Sequence, residues 1–213
     1  YFILGLPYET TEDAAGIGEL AEKMADVYFG IPKDVRNKGL KITVSTSILV
    51  PKPFTPFQWA PMARPEIVDE RIKAVRGAIK SRSIVYNYHE QETSFMEAVF
   101  ARGDRRTCDV LIKAFEKGAK FDGWSEYFNM EIWNEAMEEC NLDSEFYVYR
   151  EREYDEILPW DFIDIGVNRK YMERENEKAK KAELTKNCLE GCTGCGINVN
   201  FKEGKCFEGA ILN

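Results

Sequence analysis

The C-terminal end of the sequence carries its most concentrated chemistry. Cys188-x3-Cys192-x2-Cys195 sets three thiols among Gly191, Gly194 and Gly196, and Cys206 follows a turn expected at Gly204. Thiolates are soft ligands, and glycines let so short a stretch fold back around one ion. Cys188, Cys192, Cys195 and Cys206 are therefore the candidate metal ligands. Four thiolates would close a site suited to structural zinc or an iron–sulfur cluster, whereas three would leave one position open. The alternative is a set of free thiols on a flexible tail. The sequence has 6 cysteines, and Cys108 and Cys140 fall in helical patterns. That uneven placement favours metal binding in a reducing, cytoplasmic compartment over a disulfide framework.

Other chemistry-bearing residues are scattered. His89, the single histidine, ends a predicted strand, where a hydrogen-bonded structural role is commoner than a base. Asp161 and Asp164 suit either acid/base work or the capping of a following helix. Arg102, Arg105 and Arg106 surround a helix start at Asp104. Such a cluster binds phosphate or carboxylate, or ties a salt-bridged helix junction. No two of these residues complete a nucleophile or acid/base constellation.

The elements that position them begin with Tyr1 to Leu6, a continuous apolar run that predicts a strand buried on both faces. Pro7 stops it, and Thr10 or Thr11 with Glu12 and Asp13 caps a helix. Ala14, Ile17, Leu20, Ala21, Met24 and Val27 form that helix's apolar stripe. A strand–loop–helix unit of this kind belongs in a parallel sheet or barrel, where ligands sit at the carboxyl ends of strands. Gly5 to Glu9 is thus the expected working edge. The strand starts at the first residue, so we expect preceding elements outside these residues and an unpaired sheet edge.

Lys41 to Val50 alternates, with Ile42, Val44, Thr46, Ile48 and Val50 on one face and hydroxyl residues on the other, which suits a cavity or a solvated face. Pro51 to Pro61 holds four prolines and three aromatics, a stiff loop that walls a pocket or straps an apolar surface. A helix over 65–83 and a strand at Ile84–Tyr88 follow. Further helices are expected from Glu92, after Asp104 (with Val110, Leu111, Ala114 and Phe115 inward), over Trp124–Cys140 and over Arg169–Lys181, with a short strand at Phe146–Arg150.

Several of these stretches resemble radical S-adenosylmethionine (SAM) enzymes: Ile3-x-Gly5-x-Pro7-x-Glu9-Thr10, the run from Val50 to Trp59, Ala101 to Arg106, and Leu158 to Asp164. The likeness is to an uncharacterised group similar to cobalamin-binding-domain radical SAM proteins, and Tyr8 stands where a Gly is usual. The resemblance implies an α/β chain: the last strands of a partial (β/α) barrel over 1–90, a mainly helical C-terminal extension over 91–184, and a cysteine-rich metal-binding tail over 185–213. It implies SAM held with Gly5, Leu6, Pro7 and Glu9 on one side of its nucleoside and Val50 and Pro51 on the other.

In that family the cysteines for the SAM-binding [4Fe–4S] cluster follow the first barrel strand. The tail would then be a second site, an auxiliary Fe–S cluster or zinc, and cobalamin is a further cofactor of the full protein. The implied chemistry is reductive SAM cleavage or cobalamin-assisted methyl transfer, with this chain inactive alone. The implied partners are the missing N-terminal part of the same protein and a reductant such as flavodoxin or ferredoxin. A reading from another class is a non-catalytic helical module whose zinc or Fe–S knuckle docks a protein or RNA. The net charge of −8 opposes broad binding to nucleic acid or anionic membrane, and no apolar stretch approaches a bilayer span.

Overall fold

The computed structural model describes residues 1–36 and 39–201. The chain divides into two compact units, Tyr1–Val50 with Pro61–Arg150, and Pro51–Ala60 with Glu151–Asn213. The first unit is α/β. Its strands β1 (Phe2–Leu4), β2 (Ile42–Ile48) and β3 (Ile84–Tyr88) form one parallel sheet in the order β1-β2-β3, with Leu4 opposite Ile48 and Thr46 opposite Tyr88.

Helices α1 (Thr11–Gly30) and α2 (Pro65–Ala78) make the crossovers. A capping box starts α1: the Thr10 hydroxyl accepts from Asp13 N at 3.1 Å, and the Asp13 carboxylate accepts from Thr10 N at 2.9 Å. The two helices meet where Gly18 leaves room, since a Cβ there would lie 2.7 Å from the Val75 carbonyl oxygen. Close approach rests on small residues, and Ala14, Gly18, Ala21 and Ala25 are the buried positions of α1. Leu20, Met24 and Val27, expected inward, are exposed instead. They share the helix with the small-residue ridge but lie on its flank.

The helices cover a single face of the sheet. Leu4, Val44, Thr46, Ile48 and Ile84 point into the core. On the opposite face Ile3 is 45% exposed, Val85, Thr43 and Asn87 are exposed, and Ser45 and Ser47 are half-buried. The expected strand with two buried faces is thereby corrected, because no described element lies over Ile3.

The remaining helices of the first unit are α3 (Gln91–Arg102), α4 (Thr107–Glu116), α5 (Met130–Glu139) and α6 (Ser144–Val148). Met96, Val99, Val110, Ala114, Trp133, Met137 and Tyr147 join the main core, while Leu111 and Phe115 remain exposed. Two expectations are corrected. The helix expected from Trp124 begins at Met130, where the Asn129 side chain accepts from Glu131 N at 2.9 Å. The strand expected at Phe146–Arg150 is helical, because Asp143 caps it by accepting from Phe146 N at 3.4 Å.

Asp104 ties the junction of α3 and α4. Its carboxylate accepts Arg106 N at 2.9 Å, Arg106 Nη2 at 2.6 Å and the Tyr147 hydroxyl at 3.0 Å. Arg106 foremost holds this carboxyl down at about 2, against an ordinary 3.8. Burial, reinforced by Asp104, pushes the Tyr147 hydroxyl up to about 12. A depressed carboxyl stabilises the fold above its unfolded value and loses that contribution as the pH falls through its folded value. Asp104→Asn should therefore be less stable at neutral pH by on the order of 1 kcal/mol after solvent screening. The wild type should lose this advantage between its ordinary 3.8 and about 2. Urea denaturation at stepped pH checks it, and parallel curves for the two proteins throughout would contradict it.

The second unit contains a 3-10 turn (Pro56–Trp59), α7 (Arg169–Lys180) and α8 (Ile197–Asn200). Trp59, Leu158, Trp160 and Met172 form its core. The buried Gln58 side chain binds it together. Its Oε1 accepts from Trp160 Nε1 at 2.7 Å and from Phe54 N at 3.1 Å, and its Nε2 lies 3.5 Å from Met172 Sδ. Among the described residues no helix is long and apolar enough to cross a membrane.

Candidate functional site

The loop after β1 closes on itself. Gly5 takes φ 78° and Tyr8 φ 70°, so Tyr8 adopts the left-handed backbone that glycine takes without strain. The Glu9 carboxylate accepts Gly5 N at 2.8 Å, and Glu9 N donates to Leu6 O at 3.1 Å. From α2, Arg71 Nη2 donates to Glu9 O at 3.0 Å and Arg71 Nε lies 3.6 Å from the Glu9 carboxylate, with the two side chains only 12% and 7% exposed. Burial raises the Glu9 carboxyl, against the lowering pull of Gly5 N–H and Arg71. Gly5, Leu6, Pro7 and Glu9 thus share one clasped loop, with Glu9 turned inward to hold it. Leu6 is exposed and Pro7 half-buried. Val50 lies buried two residues beyond the end of β2, and Pro51 begins the second unit.

Beside this loop lies a cavity of about 380 Å³. Ile48 at the end of β2, Pro65 and Val68 of α2, Gln91, Glu92 and Phe95 of α3, and Met62, Ala63, Met130 and Tyr149 line it. It sits outside the carboxyl end of a parallel strand, between the first turns of two helices, where α/β proteins place ligands. A Cβ on Gly5 would lie 3.0 Å from Ala63 Cβ and 3.9 Å from Ile48 Cγ2, both wall atoms. Loop and cavity wall are therefore in direct contact at Gly5. Gly5→Ala should cost about 1–2 kcal/mol through the left-handed backbone and the contact with Ala63. Thermal denaturation checks it, and an unchanged Tm would show that the loop tolerates a side chain.

The polar groups of the cavity are few. Gln91 Nε2 donates to Asp69 Oδ1 at 2.6 Å, and Arg64 stands 4.7 Å from the centre of the Tyr149 ring while bonding Glu145 at 3.1 Å. Burial raises the Tyr149 hydroxyl. Sequence reasoning missed Met62, Phe95, Met130 and Tyr149 as wall residues, because they come from separate elements with no shared spacing. His89 is exposed beyond the end of β3, its N–H donating to Thr46 O at 3.0 Å.

In the second unit the cysteine tail packs on the start of α7. Asn168 N donates to Cys195 O at 2.8 Å, and Asn200 Nδ2 donates to Gly166 O at 2.8 Å. Cys192 Sγ accepts Gly194 N at 3.4 Å and Asn198 Nδ2 at 3.7 Å. Two donors directed at one sulfur suit a thiolate ligand, which such bonds orient and stabilise. Cys188 and Cys192 are exposed and Cys195 is half-buried. Among the described residues no three His, Cys, Asp or Glu side chains gather around one point. Cys206, with Gly204, lies outside the described residues. The fit to a metal therefore rests on Cys192 and its N–H donors.

Asp161 and Asp164 both secure turns. Asp161 Oδ2 accepts Leu158 N at 2.8 Å and Arg169 Nη1 at 2.7 Å, and Asp164 Oδ1 accepts Gly166 N at 2.7 Å.

No known family profile matches the chain, and no solved structure matches it. An uncharacterized protein of Methanocaldococcus jannaschii is similar to it, 28% identical over 111 residues that cover 52% of this chain. The match spans 22% of that protein's length.

Proposed function

We propose that this chain is part of a radical SAM enzyme, contributing late strands of a (β/α) barrel and a cysteine-bearing tail. The observation that carries the reading is the one-sided parallel sheet. Strands in sequential order with both crossover helices on one face are how a barrel progresses, whereas a doubly wound sheet carries helices on both faces. A fully parallel sheet is ordinarily apolar on both sides. Here the uncovered face holds Thr43, Ser45, Ser47 and Asn87, which suits the lining of an interior that receives a ligand.

Within this reading Gly5, Leu6 and Pro7 contact the SAM nucleoside, and Glu9 positions them through Gly5 N–H and Arg71. Val50 supports the neighbouring strand end, with Pro51 after it. SAM bound there would supply a 5′-deoxyadenosyl radical on one-electron reduction, with methionine released, or, in the cobalamin-assisted variant, a methyl group by two-electron transfer to reduced cobalamin, with S-adenosylhomocysteine released. The [4Fe–4S] cysteines belong to another segment of the same protein, and an electron donor such as flavodoxin or ferredoxin serves it.

The test uses the complete gene product containing these residues, reconstituted with iron and sulfide without oxygen and given SAM and a reductant. The expected result is 5′-deoxyadenosine or S-adenosylhomocysteine above the unreduced control, with Leu6→Asp lowering it. A fully iron-loaded protein that forms neither product overturns the proposal.

A further inference from the structure

The second unit holds a cavity of its own, about 270 Å³, lined by Phe54 and Gln58 of the proline-rich loop and by Asp161, Asp164, Arg169 and Met172, among others. We propose that it binds a small organic cation, a primary amine carrying an apolar body, independently of any radical chemistry.

Charge decides the ligand class. Among the described residues Arg169 is the one cation in the wall, and its guanidinium is already engaged. Its Nη1 donates to Asp161 at 2.7 Å, its Nη2 donates to the Tyr154 and Glu156 carbonyls at 2.7 and 2.8 Å, and its Nε lies 3.4 Å from Glu173. Among the described residues an anion would find no unengaged cation in that wall. Asp161 is neutralised by that contact, whereas Asp164 has no ion-pair partner among the described residues and spends one oxygen on Gly166 N. Among the described residues the exposed Asp164 thus contributes a carboxylate without an ion pair to the cavity wall.

Shape completes the argument. Phe54 takes φ 59°, a strained backbone for an aromatic residue, and is held there by its N–H to Gln58 Oε1 at 3.1 Å. Gln58 itself is 3% exposed and fixed by Trp160. The wall thus combines an aromatic side chain, Phe54, with the carboxylates of Asp161 and Asp164, a combination that attracts ammonium groups. Ile165, Val167 and Met172 supply the apolar bed.

The test follows the methyl NMR signals of Ile163, Ile165 and Met172 in the whole chain during titration with phenethylamine, and separately with phenylacetate, the same body with the opposite charge. Phenethylamine should shift these signals and phenylacetate should not. Asp164→Asn keeps an oxygen for Gly166 N while removing the charge, and should weaken phenethylamine binding about threefold to tenfold. Unchanged methyl positions in the unliganded variant establish that it is folded. Phe54→Leu provides a second variant, expected to weaken the amine while leaving Asp164 in place. Equal response to both probes, no response to either, or full amine affinity in Asp164→Asn overturns the proposal.

Discussion

Replacing Arg102 with methionine should destabilise the first unit by about 3–5 kcal/mol. Arg102 ends α3 with no exposed surface, and its guanidinium donates to the Tyr147 carbonyl at 2.7 Å and to the Arg150 carbonyl at 3.1 Å. These carbonyls lie in the stretch closing α6, which the α3 helix end thereby holds. Methionine fills much of the same volume but donates nothing, so buried carbonyls lose their partner. Arg102→Lys keeps the charge but not the planar fork, and should recover less than half of the loss. Thermal and urea denaturation measure both. A methionine variant within about 1 kcal/mol of wild type would show that water or another donor replaces the guanidinium.

The second large effect concerns metal. Chain purified without oxygen should carry iron with sulfide and a broad visible absorbance, and the Cys188/Cys192/Cys195→Ala triple variant should carry neither. The Gly194 and Asn198 donors on Cys192 predict the finer result: Asn198→Ala should leave the metal bound but weaker, by the roughly 10–100-fold that outer partners commonly contribute. Stoichiometric zinc in place of iron would make the tail structural and favour a docking module. An absence of either metal, with the triple variant equally stable, would overturn the assignment of these cysteines as ligands.

The strands and their parallel sense were legible because each announces itself locally. Pro7 and the Thr10 to Asp13 cap fix the end of β1 and the start of α1, and the alternation from Ile42 to Ile48 fixes the second strand. What escaped were features decided by neighbours. Leu20, Met24 and Val27 fit a helical stripe as well as Ala14, Ala21 and Ala25, but only the small residues admit α2 at Gly18. Phe146 to Val148 is apolar enough for either a strand or a helix, and the cap at Asp143 settles it. At the candidate site the clasp of Glu9 on Gly5 is a contact between positions named from the sequence. The cavity wall of Met62, Phe95, Met130 and Tyr149 is an assembly from distant segments that no spacing encodes. Tyr8 shows the reverse, a residue whose left-handed backbone, φ 70°, nothing in its own type announces.

The core of the second unit is written in two instalments. Trp59 and Gln58 leave the ribosome roughly a hundred residues before Trp160 and Met172, the partners that bury them, with a separation of 102 residues between Gln58 and Trp160. During synthesis the residues of the first unit are complete at Arg150, while the Trp59 indole still lacks Trp160 and Met172. Contacts of such long sequence separation form late and slowly. A stalled or truncated chain therefore presents an exposed proline-rich aromatic loop, a surface that chaperones and proteases engage. For the same reason residues 151–201 expressed alone lack Trp59, one of the four buried residues of their core, and supplying the 51–60 segment as a separate peptide is the direct way to restore it.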